Sequence, residues 1–180
     1  MKVKICGVTS PEDLALVDAA GADFAGFVLW PRSKRHVTLG RLAELARVPV
    51  RLRRVGVFMD ATPAEVARAV RVGRLDVVQL YRCPFRPAGV AVWRATPGPA
   101  AEAIVLDAAP GQGVVGDWAH AARLARRRRL VLAGGLTPGN VADAVAAVRP
   151  WCVDVAGGTE AAPGRKDPDK VYDFIRKAKQ

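Results

Sequence analysis

Apolar residues fall along this chain in short runs, and the stretches between them carry apolar positions at helical spacing. The first run, KVKIC (2–6), is short and β-branched and reads as a strand. SPEDLALVDAAG (10–21) reads as a helix. Ser10 is placed as its N-cap, Pro11 lies in its first turn, Glu12 and Asp13 face the positive end of its dipole, and Gly21 stops it. The alternation continues to the C-terminus. Strands are expected at 23–30, 53–58, 75–80, 103–107, 130–135 and 152–158, and helices at 39–47, 62–73, 117–129, 138–148 and 168–179. TPAEVARAVRVG (62–73) repeats the helix grammar with Thr62, Pro63, Glu65 and Gly73. GVAVWRA (89–95) supplies one more strand and brings the count to eight.

These strands are near-continuous apolar runs, the pattern of strands covered on both faces of a parallel sheet. Repeated βα units leave a doubly wound sheet or a (β/α)8 barrel, and eight strands favour the barrel. The expectation is an α/β chain forming one TIM-barrel domain over residues 1–180. One segment breaks the rhythm. Tyr81 to Glu102 holds four prolines and has no room for two full helices around the fifth strand. The outer helices after strands four and five are therefore expected to be lost or shortened. The wall left thin there is where a second copy would pack, in a homodimer.

Composition narrows the function classes. Apolar residues make up 51% and charged residues 25%, as in a globular chain. Neither a secretory h-region nor an apolar run of bilayer length is present, so a cytoplasmic location without membrane contact is expected. Cys6, Cys83 and Cys152 are odd in number and widely spaced, which fits neither a disulfide framework nor a CxxC metal site. The net charge of +11 points to anionic partners. The run Arg126 to Arg129 ends a helical stretch, where cations suit the C-terminal dipole, so it reads as a solvated helix end rather than a nucleic-acid patch. The expected partner is a small phosphorylated anion, not nucleic acid.

In a barrel the chemistry sits where strands end at their C-terminal side. Those ends are Cys6-Gly7, the WPRSKR loop (30–35), Phe58-Met59-Asp60, Gln79-Leu80-Tyr81, Arg94, Asp107, Gly134-Gly135 and Gly157-Gly158. The loops after strands seven and eight commonly cradle phosphate, and glycine lets backbone N–H groups approach it. Two Gly-Gly pairs at those positions point to a phosphate site. Cys6 is either a tunable thiol or a small buried hydrophobe. Asp107 either caps a loop or serves as an acid. Arg35, with Arg32 and Lys34, either clamps a carboxylate or lies in a solvated basic loop.

These residues, in this order, resemble the phosphoribosylanthranilate isomerase family of tryptophan biosynthesis. The matching segments include KICGVT (4–9), ADFAGFVLWPRSKRHV (22–37), RVGVF (54–58), VVQL (77–80), VLD (105–107), LAGGLTPGNV (132–141) and VDVAGGTEAAPGRKD (153–167), spanning nearly the whole chain. The resemblance implies a cofactor-free Amadori rearrangement of N-(5′-phosphoribosyl)anthranilate. It assigns Asp107 as the general acid that opens the furanose ring and Cys6 as the general base at C2′. Arg35 would hold the anthranilate carboxylate, and backbone around Gly134, Gly135, Gly157 and Gly158 the phosphate. Three departures stand out. Tyr81-Arg82 replaces a His-Gly pair, so Tyr81 would offer a flat wall to the aromatic ring. The loop APGQGVVGDW (109–118) is short and lacks a lysine. Ala156 and Gly157 stand where serines are usual.

Two other readings fit the same residues. Tyr81 and the short loop suit a related aminoaldose phosphate as substrate. The charge and the arginine run suit a degenerate barrel that binds nucleic acid or protein.

Overall fold

A computed structural model describes residues 1–95, 101–107 and 116–180. Eight parallel strands close into a barrel in chain order: β1 (Lys2–Cys6), β2 (Phe24–Val28), β3 (Arg53–Met59), β4 (Val77–Tyr81), β5 (Ala91–Arg94), β6 (Ala103–Asp107), β7 (Leu130–Ala133) and β8 (Cys152–Val155), with β8 pairing β1. Outside them run α1 (Pro11–Ala19), α2 (Leu39–Leu45), α3 (Pro63–Gly73), α4 (Trp118–Ala125), α5 (Val141–Val148) and α6 (Pro168–Lys179). The expected strand and helix order is the observed one.

Helix starts follow the side-chain chemistry. Ser10 accepts from the Asp13 backbone N–H, and Thr62 with Glu65 forms a reciprocal capping box. The expected ends move by a few residues. The helix expected over 117–129 stops at Ala125 before a turn, and the strand expected over 152–158 stops at Val155. From there the chain turns through a short 3-10 segment, Gly157–Thr159, into a hairpin of β9 (Glu160–Ala162) and β10 (Arg165–Lys166) that sequence patterning did not predict.

Between β4 and β5 the chain has no helix, as the prolines imply. Arg94, at the end of β5, holds that segment by donating to the carbonyls of Cys83 (2.7 Å) and Phe85. Residues 96–100, where the second helix loss was expected, and most of the 109–118 loop lie outside the described residues.

Each strand is buried on both faces, but the faces differ. Outward residues such as Val3, Ile5, Phe27, Leu80, Leu132 and Val153 pack against the helices. Inward residues form a separate cluster at the N-terminal end of the barrel: Phe24, Val55, Val77, Trp93, Val105, Val131 and Cys152. Phe24, Trp93 and Trp151 close this floor, with Trp93 meeting Phe24 edge-on at 4.9 Å and Trp151 at 5.6 Å. Above the floor the inward positions turn polar, with Lys4, Gln79 and Asp154 all buried. That change of chemistry along the barrel axis makes the C-terminal end a site.

Trp93→Ala should destabilise the barrel by about 3–5 kcal/mol, because Phe24 and Trp151 lose their common partner. Urea unfolding followed by circular dichroism measures it.

Candidate active site

At the C-terminal end of the barrel a cavity of about 380 Å³ opens, within the range of small-molecule sites. Every residue to which the resemblance gives a role lines it: Cys6, Arg35, Tyr81, Asp107, and both glycine pairs, Gly134-Gly135 and Gly157-Gly158, whereas Arg32, Lys34, Asp60 and Arg94 do not.

Cys6 ends β1 and stays partly exposed, whereas Cys83 and Cys152 are buried. Its side chain lies over Gly26 of β2, its register partner. A Cβ at Gly26 would stand 2.7 Å from Cys6 Sγ and 3.0 Å from Lys4 Cε, so glycine is what lets both side chains turn inward. Burial pushes the Cys6 thiol up, and the charge of Lys4 pulls it down. Asp107 ends β6, so β7 and β8 lie between it and β1. The thiol and the carboxyl therefore face one cavity from separated strands.

The glycine pairs bring bare backbone to the cavity wall. Gly134 and Gly135 have φ of 90° and 63°, a region that disfavours side chains. Gly158 is constrained by contact: a Cβ there would lie 2.0 Å from the Leu136 carbonyl oxygen. The loops after β7 and β8 are thus packed together. Asn140 braces the first of them, donating to the Gly135 carbonyl (3.0 Å) and accepting from the Thr137 N–H (2.8 Å), just ahead of α5.

Arg35 is only partly exposed. Its Nε and Nη2 donate to the two carboxylate oxygens of Glu160, each at 2.8 Å. Lys166 completes the cluster by donating to Glu160 Oε1 (3.2 Å), the Cys6 carbonyl (2.6 Å) and the Ala156 carbonyl (3.2 Å). Burial raises the Glu160 pKa, but Arg35 and Lys166 outweigh it and hold the carboxyl below its ordinary range. Burial lowers the Lys166 pKa against the pull of Glu160. The β9/β10 hairpin thereby ties Arg35, the end of β1 and the loop after β8 into one unit.

Tyr81 closes another side. Its hydroxyl accepts from Gln79 Nε2 at 2.9 Å. Burial, and then the charge of Asp107, raise its pKa, which keeps it a proton-bearing donor. Two buried acceptor atoms in the cavity wall, Gln79 Oε1 and Asp154 Oδ1, have no hydrogen-bond partner among the described residues. Such atoms carry a desolvation cost until a donor reaches them. Among the described residues no cluster of His, Cys, Asp and Glu is placed to hold a metal, and no helix is long and apolar enough to cross a membrane.

Sequence reasoning gave no role to Lys4, Gln79, Asp154, Glu160 or Lys166, although Gln79 stood among the strand ends. Strand alternation could have found the first three, since Lys4 precedes Cys6, Gln79 precedes Tyr81 and Asp154 precedes Ala156 by two positions on the inward face. No local signal marks Glu160 and Lys166.

Comparison with known proteins places this arrangement. The family model described as N-(5′-phosphoribosyl)anthranilate (PRA) isomerase matches residues 3–86 and 91–177. The N-(5′-phosphoribosyl)anthranilate isomerase of Thiobacillus denitrificans is 42% identical, over 99% of this chain and 98% of the relative. A crystal structure of a dimeric phosphoribosylanthranilate isomerase from Thermotoga maritima, in mutually generated monomer form, is 33% identical with a TM-score of 0.86, covering 99% of this chain and 98% of that one. A phosphoribosylanthranilate isomerase solved with reduced 1-(o-carboxyphenylamino)-1-deoxyribulose 5-phosphate is 34% identical, with a TM-score of 0.86 and the same coverage.

Gly158→Ala should force the two loops apart. We expect a stability loss of about 1–3 kcal/mol in tryptophan-fluorescence unfolding. Protection of the fold by inorganic phosphate should weaken with it.

Proposed function

The chain belongs to the N-(5′-phosphoribosyl)anthranilate isomerase family, and from that premise we propose how its residues divide the reaction. The activity is the Amadori rearrangement of N-(5′-phosphoribosyl)anthranilate to the 1-deoxyribulose 5-phosphate product in tryptophan biosynthesis. The observation that carries the assignment is the placement of Cys6 and Asp107 on separated strands around one cavity, with bare-backbone loops after β7 and β8 on the wall.

Asp107 donates a proton to the furanose ring oxygen. The C1′–O bond breaks as the nitrogen lone pair forms C1′=N, giving the open iminium. The Cys6 thiolate then removes the C2′ proton. The C–H electrons become C1′=C2′, and the C1′=N electrons return to nitrogen, leaving an enolamine. Its tautomerisation moves a proton from the 2′-hydroxyl to C1′ and leaves the ketone. The acid has lost one proton and the base has gained one, and exchange with water resets both. No electrons leave the substrate, so the sequence needs no redox partner. General acid and base groups of this kind contribute about 10²–10⁴-fold each.

The loops bearing Gly134, Gly135, Gly157 and Gly158 hold the phosphate, as loops after strands seven and eight of barrels do. Arg35 faces the anthranilate carboxylate with the edge of its guanidinium that Glu160 does not occupy. Tyr81 offers its ring to the anthranilate, and Gln79 Oε1 and Asp154 Oδ1 accept from sugar hydroxyls. The helix-free wall between β4 and β5 packs against a second copy, a reading supported by the dimeric relative.

Cys6→Ser and Asp107→Asn should each lower kcat by about 10²–10⁴-fold, followed as loss of substrate fluorescence. Neither variant should restore growth to a bacterial tryptophan auxotroph lacking this isomerase. Growth with both would remove the assignment. Sedimentation equilibrium should give a dimer mass, and a monomer would remove the paired arrangement.

A further inference from the structure

A thiolate in a largely buried position needs a cation, and three stand near Cys6: Lys4, Lys166 and Arg35. Two of them are committed elsewhere. Lys166 has three acceptors for its three N–H bonds: the Cys6 and Ala156 carbonyls and Glu160 Oε1. Arg35 gives Nε and Nη2 to Glu160.

Lys4 differs. It is fully buried inside the barrel, where its Nζ donates to Asp154 Oδ2 at 2.7 Å and also faces the Cys6 side chain as a hydrogen-bond donor. Its Cε and the Cys6 sulfur stand against the same point over Gly26, at 3.0 and 2.7 Å. Lys4 and Cys6 alternate on the inward face of β1, so the strand itself sets the ammonium beneath the thiol. Asp154, in register with Lys4 on β8, keeps that ammonium charged despite its burial.

From this geometry we infer that Lys4 is the positioning residue for the base of the reaction: its ammonium, anchored by Asp154, is the charge that stabilises the Cys6 thiolate. The inference rests on Cys6 being the base proposed above. The titratable and charged groups around the sulfur are Lys4 on β1, Asp154 on β8, Lys166 on β10, Arg35 after β2, Tyr81 on β4 and Asp107 across the cavity on β6. Of these, the charge of Lys4 is the largest influence lowering the Cys6 pKa, and Asp154 works against it.

The test measures Cys6 ionisation apart from catalysis. Cys83 and Cys152 are buried, so iodoacetamide labels Cys6 in the folded protein, and the labelling rate of the Cys6 peptide can be followed against pH by mass spectrometry. Lys4→Gln/Asp154→Asn removes the charged pair and keeps a hydrogen-bonding one. Lys4→Met/Asp154→Leu is the apolar alternative should the amide pair not fold, since apolar replacement of buried ion pairs is often tolerated. The labelling midpoint should rise by at least about one pH unit, or about tenfold slower labelling below the midpoint. The alkaline shift should appear equally in the acid limb of kcat, and the pH midpoint is the readout, because Asp154 also faces the sugar and its replacement moves KM at every pH. Coincident labelling profiles in wild type and a folded variant would overturn the role of Lys4, and would do so even if Cys6→Ser is inactive. A shifted labelling profile with an unshifted kcat profile would leave Lys4 as the thiolate's partner and remove Cys6 as the base.

Discussion

The barrel closes where β8 meets β1, and a buried ion pair sits on that seam. Lys4 and Asp154 face each other in register, 2.7 Å apart, with almost no solvent contact. Stranding either charge would cost several kcal/mol, on the order of 3–5 for a buried pair broken on one side. Correct closure is therefore coupled to correct register, because a slip of one residue between the strands turns one of the two side chains outward and parts the pair. The same seam carries Cys6 and the Gly157-Gly158 loop after β8. The reactive end of the molecule is built directly on the joint that makes it a barrel.

A second polar unit is laid over the first. The β9/β10 hairpin delivers Glu160 and Lys166, and these join Arg35 to the backbone at Cys6 and Ala156. Alternating signs make each member hold its neighbour: Arg35 is aimed by Glu160, Glu160 is ionised by Arg35 and Lys166, and Lys166 grips two carbonyls. A guanidinium held at two nitrogens has lost the rotamer freedom of a surface arginine before any ligand arrives, which lowers the ordering cost of binding. Preorganisation of this kind suits the carboxylate-binding role proposed for Arg35.

Much of this was legible in the chain because barrel chemistry has fixed addresses. Cys6, Asp107 and the two glycine pairs were found by asking what stands at the end of each strand, and all of them line one cavity. The prolines at 84 and 87 announced the missing helix. What stayed hidden depends on distance along the chain. Glu160 meets Arg35 across a sequence separation of 125, and nothing near either residue encodes the encounter. Lys4 was hidden for another reason: a lysine in a strand reads as an exposed edge, although alternation with Cys6 puts it on the inward face, where it meets Asp154 in register. The hairpin escaped because TEAAPGRK carries no alternating pattern, and its strands are short.

The helix-free stretch after β4 is tethered through main-chain oxygens, since Arg94 grips the carbonyls of Cys83 and Phe85 rather than their side chains. Any amino acid offers the same carbonyl. The grip does not depend on which side chains stand at 83 and 85, but Cys83 is buried in the core and Phe85 and Val90 pack against it, so freedom to vary falls to the exposed positions, Pro84, Arg86 and Ala88. Because β4 ends in Tyr81 at the cavity wall, that freedom lies beside the pocket.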